Sequence, residues 1–349
     1  MKGFVSSRLH PVANLGLLVV LLVAAFCVAS FLVMVVNYLA FGVGMQEMGN
    51  VTQRPADYPN GWGVSMVSQG LLLLGGFGGA AVALASLTGY KWKDYFAPRR
   101  PVPLEWIGLA MLLIVASLPA MSVLVEWNAK AHFPAFMGEF EQTARELEER
   151  GQQVTRYLTR FSSPLRFIIA VVVIAVIPAV SEELFFRGVI QRNLVQWFSR
   201  HVGIWLAAAL FSAIHFQFFG FIPRFVLGLV LGYLYEWSGN ILVPMAAHFA
   251  QNAFQLVLLY NAQHQWAASD FDPDSTESLP WYLVVSSLLL CLGLLWHLRR
   301  QMREPRAHEL PTHLRTLGST GVAVRETNAK SPAARTLSHD GVDATKFED

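Results

Sequence analysis

The sequence predicts an all-α fold, a polytopic membrane bundle of about eight transmembrane helices, and three observations carry that expectation. Of 349 residues, 54% are hydrophobic and only 14% are charged, which is too apolar for an ordinary soluble chain of this length. The apolar residues gather into runs near 12–43, 63–89, 106–126, 164–190, 202–219, 222–238, 240–262 and 280–298. Each approaches the roughly 20 residues needed to cross a hydrocarbon core of about 30 Å. The basic residues fall on alternate connections between these runs.

The first run follows Lys2 and Arg8 in the manner of a signal peptide. It continues well past the usual apolar stretch of about 7–15 residues, so it reads as an uncleaved first span. Lys91, Lys93, Arg99 and Arg100 follow the second run, Arg187, Arg192 and Arg200 lie at and after the end of the fourth, and Arg299, Arg300 and Arg303 close the last. The intervening loops hold Glu47 and Asp57 with only Arg54, and Asp270, Asp272, Asp274 and Glu277 within 263–280. Because Lys and Arg concentrate in short cytoplasmic loops, both termini are expected in the cytoplasm, with the chain in the cell (inner) membrane. Trp62, Trp92, Trp106, Trp127, Trp205, Trp237 and Trp281 near the ends of the runs read as interfacial anchors. Cys27 and Cys291 both lie inside apolar runs and build no disulfide framework.

The longest connection is 128–162, where Phe136, Phe140, Ala144, Leu147, Val154 and Leu158 recur at spacings that predict an amphipathic helix. Its other face, with Glu141, Arg145, Glu148, Glu149 and Arg156, is expected to be solvated, or else to serve as a lid or docking surface. From about Gln301 the chain is polar and aperiodic, which predicts a disordered cytoplasmic tail. The expected organisation is therefore amino-terminal helices and loop helix over 1–163, a core over 164–262, a loop and last span over 263–300, and the tail over 301–349. A net charge of +2 gives no nucleic-acid footprint. The bilayer itself is the partner that the composition implies, and nothing in the sequence signals an oligomeric state.

Titratable groups inside a span cost several kcal/mol on insertion scales and so mark function more often than elsewhere (~3 kcal/mol each). This chain concentrates them between 182 and 252. The first cluster is Ser181-Glu182-Glu183-Leu184-Phe185-Phe186-Arg187-Gly188, approached through Pro178, which predicts a kink. On a helix Glu183 and Arg187 share a face and form an ion pair that permits burial of both, whereas Glu182 points about 100° away. The blander alternative is a helix-end salt bridge at the interface. The second cluster is Phe211-Ser212-Ala213-Ile214-His215 and the third is His248-Phe249-Ala250-Gln251-Asn252. Each alone is compatible with a satisfied core histidine or with interhelical hydrogen bonding.

Together these groups suit hydrolysis of an amide. A Glu182 carboxylate takes a proton from water, His215 holds or polarises that water, and His248 and Asn252 donate to the oxygen that becomes negative. No cofactor is required. Zinc stays open as an alternative held by Glu182, His215 and His248, although His-Glu-x-x-His is absent and Asn252 is a poor zinc ligand. Ser181 and Ser212 have no evident base of their own. A non-catalytic immunity or scaffold protein, and a transporter with these groups along an ion path, are the competing classes.

The ordered motifs Glu182-Glu183-x-x-x-Arg187, Phe211-x-x-x-His215 and His248-x-x-x-Asn252, with the link from Phe225 to His248, resemble those of the CAAX prenyl protease type II and bacteriocin-processing (CPBP) family over roughly 164–256. The resemblance implies a helical intramembrane glutamic endopeptidase acting on a membrane-associated protein or peptide. In such an enzyme Glu182 and His215 activate water, His248 and Asn252 form the oxyanion site, and Glu183, Arg187 and Phe211 support them. The motif positions show no departure from the family pattern, while 1–163 and 264–349 lie outside it.

Overall fold

A computed structural model describes residues 9–97, 101–265 and 275–303, and every regular element among them is helical. In chain order the principal helices are α1 (Pro11–Phe41), α2 (Gly61–Leu87), α3 (Leu104–Ala116), α4 (Leu118–Ala129), α5 (Gly138–Leu158), α6 (Pro164–Trp197), α7 (Arg200–Ala213), α8 (Phe221–Ser238), α9 (Leu242–His264) and α10 (Trp281–Arg303). Lys2, Arg8, Arg99, Arg100, Asp270, Asp272, Asp274 and the expected tail beyond Arg303 lie outside the described residues.

Among the described residues six helices are long and apolar enough to cross a membrane, and seven spans result if the bent pair α3 and α4 counts as one. This is a multi-pass membrane protein, with one span fewer than the apolar runs suggest. The difference lies at 202–219. α7 has 14 residues, about 21 Å at about 1.5 Å per residue, which is short of the bilayer core. It begins only at the Ser199 cap, whose Oγ accepts from Val202 N–H, and stops where Ile214 to Gly220 turn back. Phe216 in that turn adopts φ +52°, a left-handed conformation that costs a non-glycine residue about 1–2 kcal/mol.

The break between α3 and α4 bends by 43°. Pro119 at its start has no N–H to continue the ladder. Ser287 of α10 repairs both ends, donating to the Ala116 carbonyl at 2.6 Å and accepting from Ala120 N–H at 3.2 Å. Asn128 at the far end of α4 accepts from Ile222 N–H at 2.8 Å and donates to the Phe218 carbonyl at 3.1 Å. The turn between α7 and α8 is thereby pinned from outside.

α6 runs through the centre. Its first half packs Ala170, Val173 and Ala175 against Trp62, Met66, Leu256 and Tyr260 of α2 and α9. Its second half packs Phe185, Phe186, Val189 and Leu194 against Leu18, Ala81, Leu84, Ala207 and Phe211 of α1, α2 and α7. A separate apolar cluster joins α3, α8, α9 and α10 through Leu113, Ile114, Leu231, Val243 and Leu298. Where α6 hands over to α7, Gly203 lies so close that a Cβ there would sit 2.4 Å from the Val195 backbone nitrogen. No rotamer change relieves a backbone contact. Gly203→Ala is therefore expected to destabilise the protein by about 1–3 kcal/mol, read as a lower melting temperature of the purified protein in detergent.

Two sequence expectations change here. Trp62 and Trp106 are buried in the protein rather than exposed, and Trp62 Nε1 donates to the Leu158 carbonyl at 2.9 Å, tying α2 to the end of α5. α5 forms within the predicted amphipathic segment, but only Ala144 and Leu158 of its apolar stripe are buried, while Phe136, Phe140, Leu147 and Val154 remain exposed. Its polar face is not simply solvated. Glu141 is held down to about 2 by Arg145, the Phe133 N–H and His132, and the Arg145 guanidinium lies 4.2 Å from the Phe219 ring centroid. α5 thus docks onto the α7–α8 turn with both kinds of side chain, Arg145 over the Phe219 ring, Glu148 on the Phe219 backbone N–H and Phe140 against the Phe218 ring.

Candidate active site

The side chains singled out from sequence arise on α6, the end of α7 and α9, and α6 reaches its site through two widened turns. Its backbone is π-helical over Val171–Val176 and again over Phe186–Gln191, with the α-helical segment Ile177–Phe185 between them. Such turns recur at functional positions because they shift the faces of a helix and turn backbone groups outward. Pro178 follows directly on the first, where its missing N–H is tolerated. The Ile174 carbonyl inside that turn accepts from Asn252 Nδ2 of α9 at 3.3 Å.

Glu183 is fully buried, and its Oε1 accepts from Arg187 Nη1 at 2.6 Å and from His248 Nδ1 at 2.9 Å. Arg187, only 1% exposed, also donates to the Gly228 carbonyl at 3.3 Å and places its guanidinium 4.4 Å from the Phe211 ring centroid. One turn on, Gln191 Nε2 donates to the Gly232 carbonyl at 2.9 Å. α6 therefore grips the backbone of α8 at two carbonyls four residues apart, opposite two of its own side chains four residues apart. This clamp was not recognised from the sequence, although Gly228 and Gly232 repeat at the spacing of Arg187 and Gln191.

Glu182 faces elsewhere. Together with His215, His248 and Asn252 it lines a cavity of about 1850 Å³. Glu183 and Arg187 are not among the lining residues, so the two adjacent glutamates are separated into one that meets the cavity and one that meets the protein. Phe211 lines the cavity as well, its ring centroid 5.3 Å from that of His215 and 5.9 Å from that of His248. Apolar residues of α4, α8, α9 and α10 form much of the wall, and Glu148, Gln152 and Thr155 of α5, with Thr159 just beyond its end, contribute a polar end.

The hydrogen bonds fix the roles open to each imidazole. His215 Nδ1 lies 2.9 Å from the Phe211 carbonyl, and a carbonyl only accepts, so Nδ1 carries the proton and Nε2 of the neutral ring is an acceptor. In the same way the Glu183 carboxylate makes His248 Nδ1 a donor. His248 Nε2 then lies 4.0 Å from Glu182 Oε2 and donates only when the ring is doubly protonated. Asn252 has a second amide hydrogen beyond the one given to Ile174. Among the described residues no three His, Cys, Asp or Glu side chains are arranged to hold a metal ion.

The sequence of this region has counterparts elsewhere. An uncharacterized protein of Bacillus subtilis, YpbD, is 37% identical over 92 residues, which is 25% of this chain and 44% of that protein. The chain thus covers less than half the length of this curated relative. No solved structure matches. Over residues 164–254, the stretch that carries Glu182, Glu183, Arg187, Phe211, His215, His248 and Asn252, the chain matches the family described as type II CAAX prenyl endopeptidase, Rce1-like.

Proposed function

We propose that the protein is an intramembrane endopeptidase of the glutamate type, hydrolysing a peptide bond of a membrane-associated protein or peptide. The observation that carries this reading is the separation of the glutamate pair. Glu182 meets the cavity alongside His215, His248 and Asn252, while Glu183 is committed to Arg187 and His248. The match over 164–254 to a family of endopeptidases supports the same class of chemistry.

In this mechanism the Glu182 carboxylate takes a proton from a water held by His215 Nε2 as the water oxygen adds to the scissile carbonyl carbon. The carbonyl π pair moves onto oxygen, and the resulting oxyanion accepts from Asn252 Nδ2 and from His248 Nε2 in its imidazolium form. The Glu183 carboxylate behind Nδ1 fixes the orientation of that ring. The tetrahedral carbon then expels the amide nitrogen, which takes the proton from Glu182 and restores the carboxylate. The apolar cavity wall lowers the local dielectric and strengthens these donors. No metal is required, so cleavage is expected to continue in the presence of 1,10-phenanthroline. Following the distribution of Lys and Arg, both termini are cytoplasmic.

The reading is tested with purified protein in liposomes, against apolar peptides and against membrane proteins whose new termini are mapped. Asn252→Ala is expected to lower kcat by about 100-fold to 1000-fold, with a smaller change in KM. Cleavage by Asn252→Ala at the parent rate would remove Asn252 from the oxyanion site. Absence of cleavage by the parent protein, with terminal profiles unchanged in cells lacking Glu182, would remove the peptidase.

A further inference from the structure

At the polar end of the same cavity one cation has no part in the chemistry above. Arg224, near the start of α8, lines the cavity with His215 and Glu148. Its guanidinium is held by neutral groups, donating to the Gln217 carbonyl at 3.3 Å and also to Gln217 Oε1. Gln217 stands two residues after His215 in one turn, so the segment that positions the imidazole also positions the cation. Gly220 makes the space, since a Cβ there would lie 2.6 Å from Arg224 Nη1.

The carboxylate whose charge reaches Arg224 is Glu148 of α5, acting through space. Glu148 hydrogen-bonds to the Phe219 backbone and to Gln152 instead, and its buried Oε2 has no hydrogen-bond partner. Burial pushes the Glu148 carboxyl above its usual range. A guanidinium has five N–H donors in a planar fork, and those not given to Gln217 remain for a ligand in the cavity. Charge within a membrane protein is costly and is kept where a pathway or ligand uses it.

We propose that Arg224 is a specificity residue of this cavity that binds a carboxylate of the substrate peptide, supplied by an acidic side chain or by a free C terminus. The inference rests on the peptidase reading for the word substrate, but not for the binding itself. A single planar carboxylate fits the fork, whereas the neighbouring Glu148 disfavours a doubly charged phosphate. Anchoring one carboxylate beside His215 fixes how far along the peptide the scissile bond lies.

The test measures binding rather than turnover, using full-length Glu182→Gln protein in nanodiscs and three fluorescent apolar peptides of one sequence. One carries Asp with an amidated C terminus, one Asn with a free C terminus, and one Asn with an amidated C terminus. A carboxylate peptide is expected to bind about tenfold or more tightly than the neutral one, the scale of one charge-assisted hydrogen bond. Whichever of the two shows the gain identifies the source. Adding Arg224→Gln is expected to erase the gain and leave the neutral peptide's affinity unchanged, whereas Arg224→Lys, which keeps the charge without the fork, retains only part of it.

Equal binding of all three peptides overturns the proposal, even if Arg224→Gln does not fold. So does a preference that survives Arg224→Gln. A carboxylate preference in a parent protein that cleaves nothing would remove the peptidase reading and leave the binding site standing. Cleavage without such a preference would do the reverse.

Discussion

Glu182→Gln is expected to lower the cleavage rate by about 100-fold to 10,000-fold while leaving the protein at least as stable as the parent, because it removes a buried charge. The two halves of the expectation have one cause. The Glu182 carboxylate meets the cavity, and its nearest ionic contact is His248 Nε2 at 4.0 Å, too far to be a hydrogen bond. A neutral amide of the same shape removes the proton acceptor and costs the fold nothing that a charge in an apolar cavity was providing. Cleavage of a quenched peptide and thermal unfolding in detergent, measured on one preparation, check both halves. Turnover at the parent rate, or activity lost only in step with stability, would end the assignment of Glu182 as the base.

Its neighbour is expected to behave in the opposite way. Glu183→Ala strands Arg187, which is 1% exposed and otherwise holds only the Gly228 carbonyl and the face of Phe211. Breaking a buried pair from one side costs about 3–5 kcal/mol, which for a membrane protein reads as a collapsed melting temperature or as poor accumulation. Combining Glu183→Leu with Arg187→Met removes both charges, and such replacements are often neutral or stabilising. The double variant is expected to recover much of the stability but little of the activity, because His248 Nδ1 has lost the acceptor that orients it. A stable double variant with parent activity would show that Glu183 is only half of a salt bridge.

The helical class and the partition of the two glutamates were legible in the sequence for a simple reason. Apolar runs report burial in lipid directly, and residues one apart on a helix must diverge by about 100°. The ion pair of Glu183 with Arg187 follows from their spacing of four. What joins α9 to α6 does not, because the contact of His248 with Glu183 spans 65 positions and no local period records it. The apolar run at 202–219 reads longer than α7 because hydropathy continues through Phe218 and Phe219, whose rings pack on Phe133 and Phe140 in the turn beside α5 rather than extend a helix. The burial of Trp62 is hidden for the converse reason, since a position near a helix end does not reveal that its N–H meets a carbonyl inside the protein. Arg224 lies outside the three motifs, and only folding brings Gln217 and Gly220 around it.

The paired π-helical turns of α6 also bear on how its length tolerates change. Each such turn holds one residue more than an α-helical turn would, so the helix beyond it is rotated by about 100° relative to an uninterrupted one. Val171–Val176 sets the azimuth of Glu182 relative to Ile174, and Phe186–Gln191 sets that of everything that follows toward α7. Deleting a single apolar residue from the first stretch would only turn it into an ordinary α-helical turn and leave the glutamates on their present bearings, whereas the same deletion between Ile177 and Ser181 would rotate them by about 100° and carry Glu183 onto the bearing of Glu182. The length of this helix is thus a phase setting, and composition alone would count its variants as equivalent.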